Sequence, residues 1–246
     1  MKDYFSKQSV QYAKFRPVYP GSLYSFLLPL LEHKRIAWDC GTGNGQVANE
    51  LAKHFDKVYA TDISQHQLDN AIKKDNIIYQ QAPAENSGFP NNSFDLITVA
   101  QAIHWFDFNA FYREVKRTML PNGILTVIGY GLFQSDKNTD TIINNFYTNI
   151  IGPYWDKERK YIDEKYQSIP FPFKEIESFP FINEYQWSFD QFIGFLGTWS
   201  AVQHYIKEKG DDPVQLIYDH LKEGWGNKPL KSIRFPLFLR IGKVEK

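Results

Sequence analysis

Short apolar runs alternate with helical periods along the first half of the chain. Buried strands are predicted for the apolar runs at residues 36–39, 57–62, 76–81, 94–100 and 124–130. After the first of them, Val47, Leu51 and Phe55 recur at four-residue spacing, which indicates one face of a helix. A further helix is predicted over 107–119. Strands that alternate with helices favour parallel pairing through right-handed crossovers, so the pattern predicts a doubly wound α/β sheet.

The pattern changes after residue 130. Residues 131–175 are polar, rich in aromatic side chains and weakly periodic, which is more typical of an insertion than of a linker. The charged run at 157–165 is interpreted as a solvated face. The later elements are predicted to be an edge strand over 181–187, a helix from Ser188 to Lys209, a shorter helix over 213–223 and a strand over 232–242. Pro236 interrupts that last strand and favours an edge position or a bulge.

Composition limits the classes of binding partner and the cellular location that we expect. The 246 residues are 43% hydrophobic, and 28 basic residues balance 28 acidic ones. Because a neutral chain has no general electrostatic attraction for nucleic acid, we expect no nucleic-acid partner. The start of the chain has no apolar stretch typical of a signal peptide, and no apolar run reaches membrane-spanning length. We therefore expect a cytoplasmic protein with no membrane partner, present as a monomer or a homodimer.

The single cysteine, Cys40, excludes an internal disulfide and a cysteine-rich zinc site. We expect no bound metal.

The first predicted strand runs into a glycine loop with the sequence AWDCGTGNGQ. Gly41 and Gly43 fit the dinucleotide-binding fingerprint, but Gln46 stands where its third glycine should be, and Gly45 comes one residue early. The carboxylate of Asp39 would repel a pyrophosphate at this position. A ligand with a positive amino group and no phosphate fits better, and S-adenosylmethionine is a ligand of that kind.

Asp62 ends the second predicted strand, next to the glycine loop in a parallel sheet. An acidic side chain at this place can accept hydrogen bonds from both hydroxyls of a ribose. Alternatively, Asp62 only complements the dipole of the helix that follows Ser64. Together with the glycine loop and Asp39, ribose binding is the favoured interpretation.

Four stretches carry a resemblance to a known family: DCGTGNG, YATDIS, QAPAENSGFPNNSFDLITVAQAIHWFD and LPNGIL. Together they resemble the class I S-adenosylmethionine-dependent methyltransferases. Within that family, the chain looks most like the small-molecule group with the common methyltransferase domain, to which the trans-aconitate methyltransferases are related. The resemblance covers residues 36–130, and YAKFRPVYP near the start and GTWSAV late in the chain are similar less specifically. It implies a Rossmann-like, mostly parallel sheet of seven strands with an antiparallel last strand.

The length of 246 residues suits one large domain, or one domain with a substantial insertion, and we expect a single domain over residues 1–246. Its cofactor-binding core is residues 36–130, and residues 232–246 add the last core strand. Residues 1–35 and 131–231, which we call the cap, would enclose a small-molecule substrate.

Site residues follow from the resemblance position by position. The methionine part of the cofactor would be held by Asp39 and by the backbone of Gly41, Thr42, Gly43 and Gly45. Asp62 would bind the ribose, the adenine would lie against Ile63, Ala84 and Glu85, and the transferred methyl would lie beside Gln101 and Ala102.

Methyl transfer from a sulfonium is an in-line displacement, and an acceptor that is not already an anion must also lose a proton. His104 is the obvious candidate base near the end of the fourth strand. The alternative is a histidine that only hydrogen-bonds the backbone or shapes the pocket. Trp105 beside it could contact substrate or only pack.

Further substrate contacts are candidates in the cap. Tyr12, Arg16 and Tyr19 could fold over the cofactor or bind a substrate carboxylate, or they could only pin the N-terminal segment. Trp199 could bind substrate, but an aromatic residue at helical spacing more often belongs to the core.

Three functions remain open from the sequence. The favoured one is a methyltransferase that transfers a methyl group from S-adenosylmethionine to a small-molecule acceptor. The alternatives are a non-catalytic protein that binds the same cofactor and a nicotinamide-dependent oxidoreductase, against which Asp39 and the position of Gly45 count.

Overall fold

One mixed sheet organises the computed structural model, which describes residues 17–246. The strands within this range are β1 (Ile36–Cys40), β2 (Lys57–Asp62), β3 (Ile77–Gln81), β4 (Phe94–Ala100), β5 (Met119–Tyr130), β6 (Lys174–Ile176), β7 (Phe181–Trp187) and β8 (Lys231–Lys243). The predicted strands are confirmed, with β5 starting earlier than expected. Residues 120–123 also belong to β5 and lie within a register shift opposite β4, between the pairs Phe94–Met119 and Leu96–Ile124.

The sheet has the order β3-β2-β1-β4-β5-β8-β6, and β7 pairs with β8 as well. Strands β1 to β5 pair in parallel, whereas β8 is antiparallel to β5. The predicted Rossmann-like α/β class with an antiparallel last strand is confirmed. The sheet has eight strands rather than the expected seven, because both β6 and β7 pair with β8. The reason is the length of β8, along which β7 pairs with residues 231–237 and β6 with residues 241–243.

Short helices connect the strands and build the cap. The α-helices of the described range are α1 (Gly21–Leu27), α2 (Gln46–Leu51), α3 (Gln65–Asp69), α4 (Phe108–Thr118), α5 (Lys137–Asn145), α6 (Arg159–Asp163), α7 (Phe189–Gly197), α8 (Ser200–Lys209) and α9 (Gln215–Trp225). Single turns of 3-10 helix lie at Leu28–Leu30, Ile103–Trp105 and Gly152–Tyr154, and a π-helix at Phe146–Ile150 follows α5.

The helix predicted from Ser188 to Lys209 is two helices. Its start is as expected, because Ser188 and Gln191 form a reciprocal capping box. The break comes at Trp199, whose backbone is extended (φ −71°, ψ 135°). The indole of Trp199 packs against aromatic rings that include those of Phe146 and Phe195. We infer that this packing fixes the break, since local periodicity alone favours one continuous helix.

Pro236 lies within β8 at a point without a register shift, and only one side of the strand is a free edge there, so the expected edge position holds on that side alone. Pro236 is opposite Ile182 of β7 on one side. On its other side, β5 ends at Tyr130 opposite Leu237. Arg234 exchanges both backbone hydrogen bonds with Gln134 on that same side. Because backbone directions alternate along a strand, Pro236 faces the space beyond the end of β5, where no N–H is required.

Each face of the sheet is covered by its own hydrophobic cluster, because successive strand residues point to opposite faces. Leu96 of β4 belongs to one cluster and Ile97 to the other. The cluster of Leu96 also contains Phe192 and Trp199 of the cap, so the cap and the sheet share a continuous core. The cluster of Ile97 is covered by α4 through Phe111.

Phe192 tests this shared core. Its side chain is fully buried between the rings of Phe133 and Trp225, so Phe192→Ala should lower the free energy of unfolding by about 3–5 kcal/mol. Phe179, which is 72% exposed, offers the same substitution as a control and should cost less than about 0.5 kcal/mol. Denaturant titrations of both variants measure the difference. Equal losses would contradict a cap core continuous with the sheet.

Candidate functional site

The carboxyl ends of the parallel strands meet at one edge of the sheet, where ligands bind in open α/β folds. A cavity opens there between the loop after β1 (residues 41–44), the turn after β2 (62–64) and the segment after β4 (100–102). We call it the first cavity.

The glycine loop forms the floor of the first cavity with a left-handed backbone. The φ angles are 68° at Gly41, 56° at Gly43 and 82° at Gly45, values that favour glycine. A Cβ atom at Gly41 would lie 2.6 Å from the Cβ of Ala102, so the loop packs closely on the segment after β4. At Gly43 no atom of the described residues lies within 4 Å of such a Cβ, and this backbone faces the open cavity.

Asp39 is a buried carboxylate at the end of β1, 1% exposed. Its Oδ2 accepts hydrogen bonds from the Thr42 hydroxyl (2.5 Å) and the Ala48 N–H (3.1 Å), and its Oδ1 accepts one from the Thr98 hydroxyl (2.8 Å). Burial raises the pKa of Asp39 to about 6, against the opposing effect of these hydrogen bonds. Within residues 17–246 it forms no ion pair, so a cation in the first cavity would be its first countercharge.

Asp62 closes the other side of the loop. Its Oδ2 accepts the Gly43 N–H and its Oδ1 accepts the Ser64 N–H, both at 2.9 Å. The half-buried carboxylate still lines the first cavity. Asp62 therefore supports the local backbone, as the dipole interpretation required, and also faces the cavity, as ribose binding requires.

Most residues expected at the cofactor come together here. The expected residues that line the first cavity are Asp39, Gly41, Thr42, Gly43, Asp62, Ile63, Ala84, Gln101 and Ala102. Gly45 and Glu85 are not among the described lining residues. Gly45 caps α2 beneath Tyr79, and Glu85 accepts a hydrogen bond from the Asp107 N–H at 2.9 Å.

The sequence interpretation missed several lining residues: Asn44, Gln46, Val47, Ser64, Gln67, Ala82, Ala100, Phe106 and Tyr130. Ser64 also caps α3, because its hydroxyl accepts the Gln67 N–H. Tyr130 ends β5, so the rule that ligands lie beyond strand ends could have identified it.

A second cavity adjoins the first and shares Gln101, Trp105 and Tyr130 with it. Its remaining walls include His104, Phe133, Trp155, Asp156, Arg159 and Trp199. The expected substrate residues His104, Trp105 and Trp199 are thus brought together, whereas Tyr19 lines the first cavity. Tyr12 and Arg16 lie outside the described residues.

Arg159 corrects the interpretation of the run at 157–165 as a solvated face. Its side chain is 20% exposed and lines the second cavity. Its Nε donates to the Tyr147 hydroxyl at 2.6 Å, and its guanidinium carbon lies 4.5 Å from the centre of the Trp155 ring. Arginine stacks readily on aromatic faces because its charge is delocalised and weakly hydrated, so a charged residue can line an aromatic wall.

His104 is a buried, neutral imidazole in the wall of the second cavity. Burial, and secondly the positive charge of Arg159, lower its pKa to about 3. Its Nδ1 lies 3.0 Å from the Tyr166 hydroxyl.

Trp199 is 6% exposed and belongs both to the core and to the cavity wall.

Gln101 lies at the boundary of the two cavities with a left-handed backbone (φ 53°). Its N–H donates to the Ile128 carbonyl at 2.8 Å, and its Nε2 donates to the Tyr130 carbonyl at 2.7 Å. Strained non-glycine residues tend to occur at functional sites, where surrounding contacts hold them in place.

Residues 17–246 contain neither a metal-binding cluster nor a helix that could span a membrane. No three His, Cys, Asp or Glu side chains there form a group that could hold a metal ion. No helix there has the length and apolar character needed to cross a membrane.

Comparisons with known proteins identify the family of the chain. Residues 38–127 match a family described as a methyltransferase domain. A putative methyltransferase of Dictyostelium discoideum is 36% identical over 251 residues, which cover 99% of this chain and 95% of that protein. The structure of a putative type II methyltransferase from Anaeromyxobacter dehalogenans is 35% identical with a TM-score of 0.87, covering 94% of this chain and 99% of that one.

A putative methyltransferase structure from Bacillus halodurans C-125 has a TM-score of 0.53 at 20% identity, covering 92% of this chain and 100% of that one, and supports the fold alone. The glycine loop, the two strand-end aspartates and a relative that matches along nearly the whole of both chains lead to one conclusion: the chain belongs to the class I S-adenosylmethionine-dependent methyltransferase family.

Proposed function

We propose that the protein transfers a methyl group from S-adenosylmethionine to a small-molecule acceptor held in the second cavity. The observation that carries this proposal is the shared boundary of Gln101, Trp105 and Tyr130, across which the contents of the two cavities would meet. The relation to trans-aconitate methyltransferases is part of the proposal and rests on the motifs alone.

The first cavity fits the cofactor at both of its polar ends. Asp39 is buried without a basic partner among the described residues, so it suits the ammonium of the methionine part. Asp62 accepts the Gly43 and Ser64 N–H groups and suits a ribose hydroxyl as well, because each carboxylate oxygen can accept more than one hydrogen bond. Gly43 leaves room for close approach, and Ile63 and Ala84 offer an apolar wall for the adenine.

When bound, S-adenosylmethionine supplies a methyl group already activated on a sulfonium. The residues of the chain then have to align the acceptor atom and exclude water. Trp105, Trp155 and Trp199 supply an apolar wall for a small, planar or apolar acceptor, and Arg159 supplies a positive charge that would hold an anionic group such as a carboxylate. The acceptor atom is proposed to be a carboxylate, a hydroxyl or a similar nucleophile.

The remaining parts of the proposal concern the setting of the enzyme. The balance of 28 basic and 28 acidic residues supports a reaction on small molecules rather than on nucleic acid or at a membrane. We propose a cytoplasmic enzyme that acts as a monomer or a homodimer.

Binding and turnover test the proposal separately. Calorimetric titrations with S-adenosylmethionine, S-adenosylhomocysteine and NADH should show binding of the first two alone. Release of S-adenosylhomocysteine with a panel of carboxylates, phenols and amines should identify an acceptor. Binding without turnover on any acceptor would favour a non-catalytic cofactor-binding protein, and binding of NADH alone would overturn the proposal.

Asp62→Ala should weaken S-adenosylhomocysteine binding by about 1–3 kcal/mol, roughly 5- to 150-fold in Kd, because hydrogen bonds to a charged acceptor are lost. Asp69→Ala in α3 removes the same charge from an exposed position and is the matched control. Titration calorimetry gives both affinities. If the two variants bind equally well, Asp62 does not contact the cofactor.

Cofactor affinity should depend on pH through Asp39. Its pKa of about 6 means that the proton is retained in the free protein at lower pH. A bound ammonium favours the ionised carboxylate and lowers that pKa, so affinity should be full above pH 6 and fall by up to about tenfold per pH unit below it. Calorimetry between pH 5 and 8 measures this slope. Asp39→Asn, checked for folding by thermal melts, should bind weakly with no such slope, whereas a slope retained in Asp39→Asn would assign the titration to another group.

Trp199 should matter for the rate as well as for stability. Trp199→Ala and Trp225→Ala both remove a buried indole from the same hydrophobic cluster, and each should cost about 3–5 kcal/mol of stability. Of the two side chains, Trp199 alone lines the second cavity. Its variant should therefore lose turnover per folded molecule with little change in S-adenosylhomocysteine affinity. Normal specific activity in both folded variants would place Trp199 in the core alone.

A further inference from the structure

The wall of the second cavity contains a chain of hydrogen bonds that ends at a buried histidine. It links His104, Tyr166, Gln101 and the carbonyl of Tyr130. Tyr166 follows α6 in sequence and is 1% exposed. We call this chain of hydrogen bonds the histidine relay.

Backbone strain is concentrated at the histidine relay. The described non-glycine residues with positive φ are Asn92, Gln101, Asn122, Lys165 and Tyr166. Asparagine tolerates this conformation, but glutamine, lysine and tyrosine adopt it rarely. All three of the unusual cases belong to the relay or adjoin it in sequence. Gln101 and Tyr166 are therefore held in unfavourable backbone conformations, as is common where a side chain needs a fixed orientation.

The direction of each hydrogen bond follows from the end of the relay. The Tyr130 carbonyl can only accept, so the amide nitrogen of Gln101 faces it and donates at 2.7 Å. The amide oxygen of Gln101 then accepts from the Tyr166 hydroxyl, at a longer distance of 3.5 Å. A hydroxyl has one hydrogen, so in this arrangement the Nδ1–H of His104 donates the hydrogen bond of 3.0 Å to the Tyr166 hydroxyl. This distance is typical of an N–H···O bond.

The other ring nitrogen is then an acceptor. A neutral imidazole that donates from Nδ1 carries a lone pair on Nε2. The ring stays neutral because burial and Arg159 oppose its protonation. His104 lines the second cavity, and its Nε2 has no hydrogen-bond partner among residues 17–246.

We propose that Tyr166 and Gln101 hold His104 in its Nδ1–H tautomer, so that Nε2 accepts a hydrogen bond from a hydroxyl or N–H group of the methyl acceptor. His104 is thereby an acceptor-binding residue, and Tyr166 and Gln101 are positioning residues. The inference rests on the proposed function and narrows its substrate class to molecules that carry a hydrogen-bond donor in the second cavity. An ionised carboxylate alone has no donor to offer and would meet the lone pair of Nε2.

The tautomer can be measured without any turnover. In protein labelled with 15N-histidine and saturated with S-adenosylhomocysteine, long-range 1H–15N spectra distinguish a ring nitrogen that bears a proton from one that bears a lone pair. The sequence has six histidines, so His104→Gln identifies the signals of His104 by their loss. We expect a protonated Nδ1 and an unprotonated Nε2. A protonated Nε2 in the unaltered protein would overturn the inference.

Two variants test the positioning residues in opposite ways. Tyr166→Phe removes the partner of Nδ1 and should produce a mixture of tautomers. Gln101→Asn tolerates the left-handed backbone but is too short to reach both partners. It should free the Tyr166 hydroxyl to donate to Nδ1 and move the proton to Nε2. Tyr161→Phe on α6 is the matched control and should leave the spectrum of His104 unchanged. An unchanged His104 tautomer in both test variants would overturn the positioning role.

Phenol and toluene test the hydrogen bond to Nε2 of His104. The two molecules have similar sizes, but phenol carries a hydroxyl group where toluene carries a methyl group. Phenol should shift the Nε2 signal of His104 in the labelled protein, and toluene should not. Equal shifts with the two probes, or none with either, would overturn the assignment of Nε2 as the binding atom. Failure of the proposed function gives a different pattern, in which the expected tautomer and phenol shift appear but no acceptor is methylated.

Discussion

The carboxylate of Asp39 is the contact on which the rest of the site depends. It accepts hydrogen bonds from the glycine loop through Thr42, from the first turn of α2 through Ala48 and from β4 through Thr98. Three elements that meet at one edge of the sheet are thus held by one buried group. Burial disfavours its charge and raises its pKa, so the fold places an incompletely compensated carboxylate where a cationic ligand would bind.

The second cavity depends on a different constraint, the join between core and cap. Gln101 belongs to the core and lies next to the cap with a left-handed backbone conformation. Its side-chain amide donates a hydrogen bond to the carbonyl of Tyr130 at the end of β5. From the cap side, Arg159 and Trp199 approach the same space through aromatic packing. The shared hydrophobic cluster makes the position of these cap residues depend on the sheet beneath them. The shape of the second cavity therefore depends on packing of the cap, whereas the first cavity is built almost wholly from strand ends and their loops.

Much of the first cavity was accessible to prediction because its signals are local. The loop after β1 needs a left-handed backbone at positions 41 and 43, and the glycines at these positions indicate that conformation in the sequence itself. Asp39 and Asp62 end strands, and parallel strands bring their carboxyl ends to one edge. Glu85 shows the limit of this reasoning. The resemblance implied that Glu85 contacts the adenine, whereas the structure shows its carboxylate accepting the backbone N–H of Asp107, a contact that depends on how two distant turns pack.

The order of apolar runs, helical periods and glycines alone determines the α/β class, the parallel core and the sheet edge that carries the first cavity. Each of these rests on period, handedness or backbone freedom within a few residues. The walls of the second cavity do not follow in that way. Arg159 belongs to a charged run, residues 157–165, of a kind that is also found on solvent-exposed helices. Tyr166 contacts His104, which lies 62 positions earlier in the sequence. Contacts of such separation are selected by the packing of the whole chain, because no local period or propensity encodes which distant side chain completes a hydrogen bond.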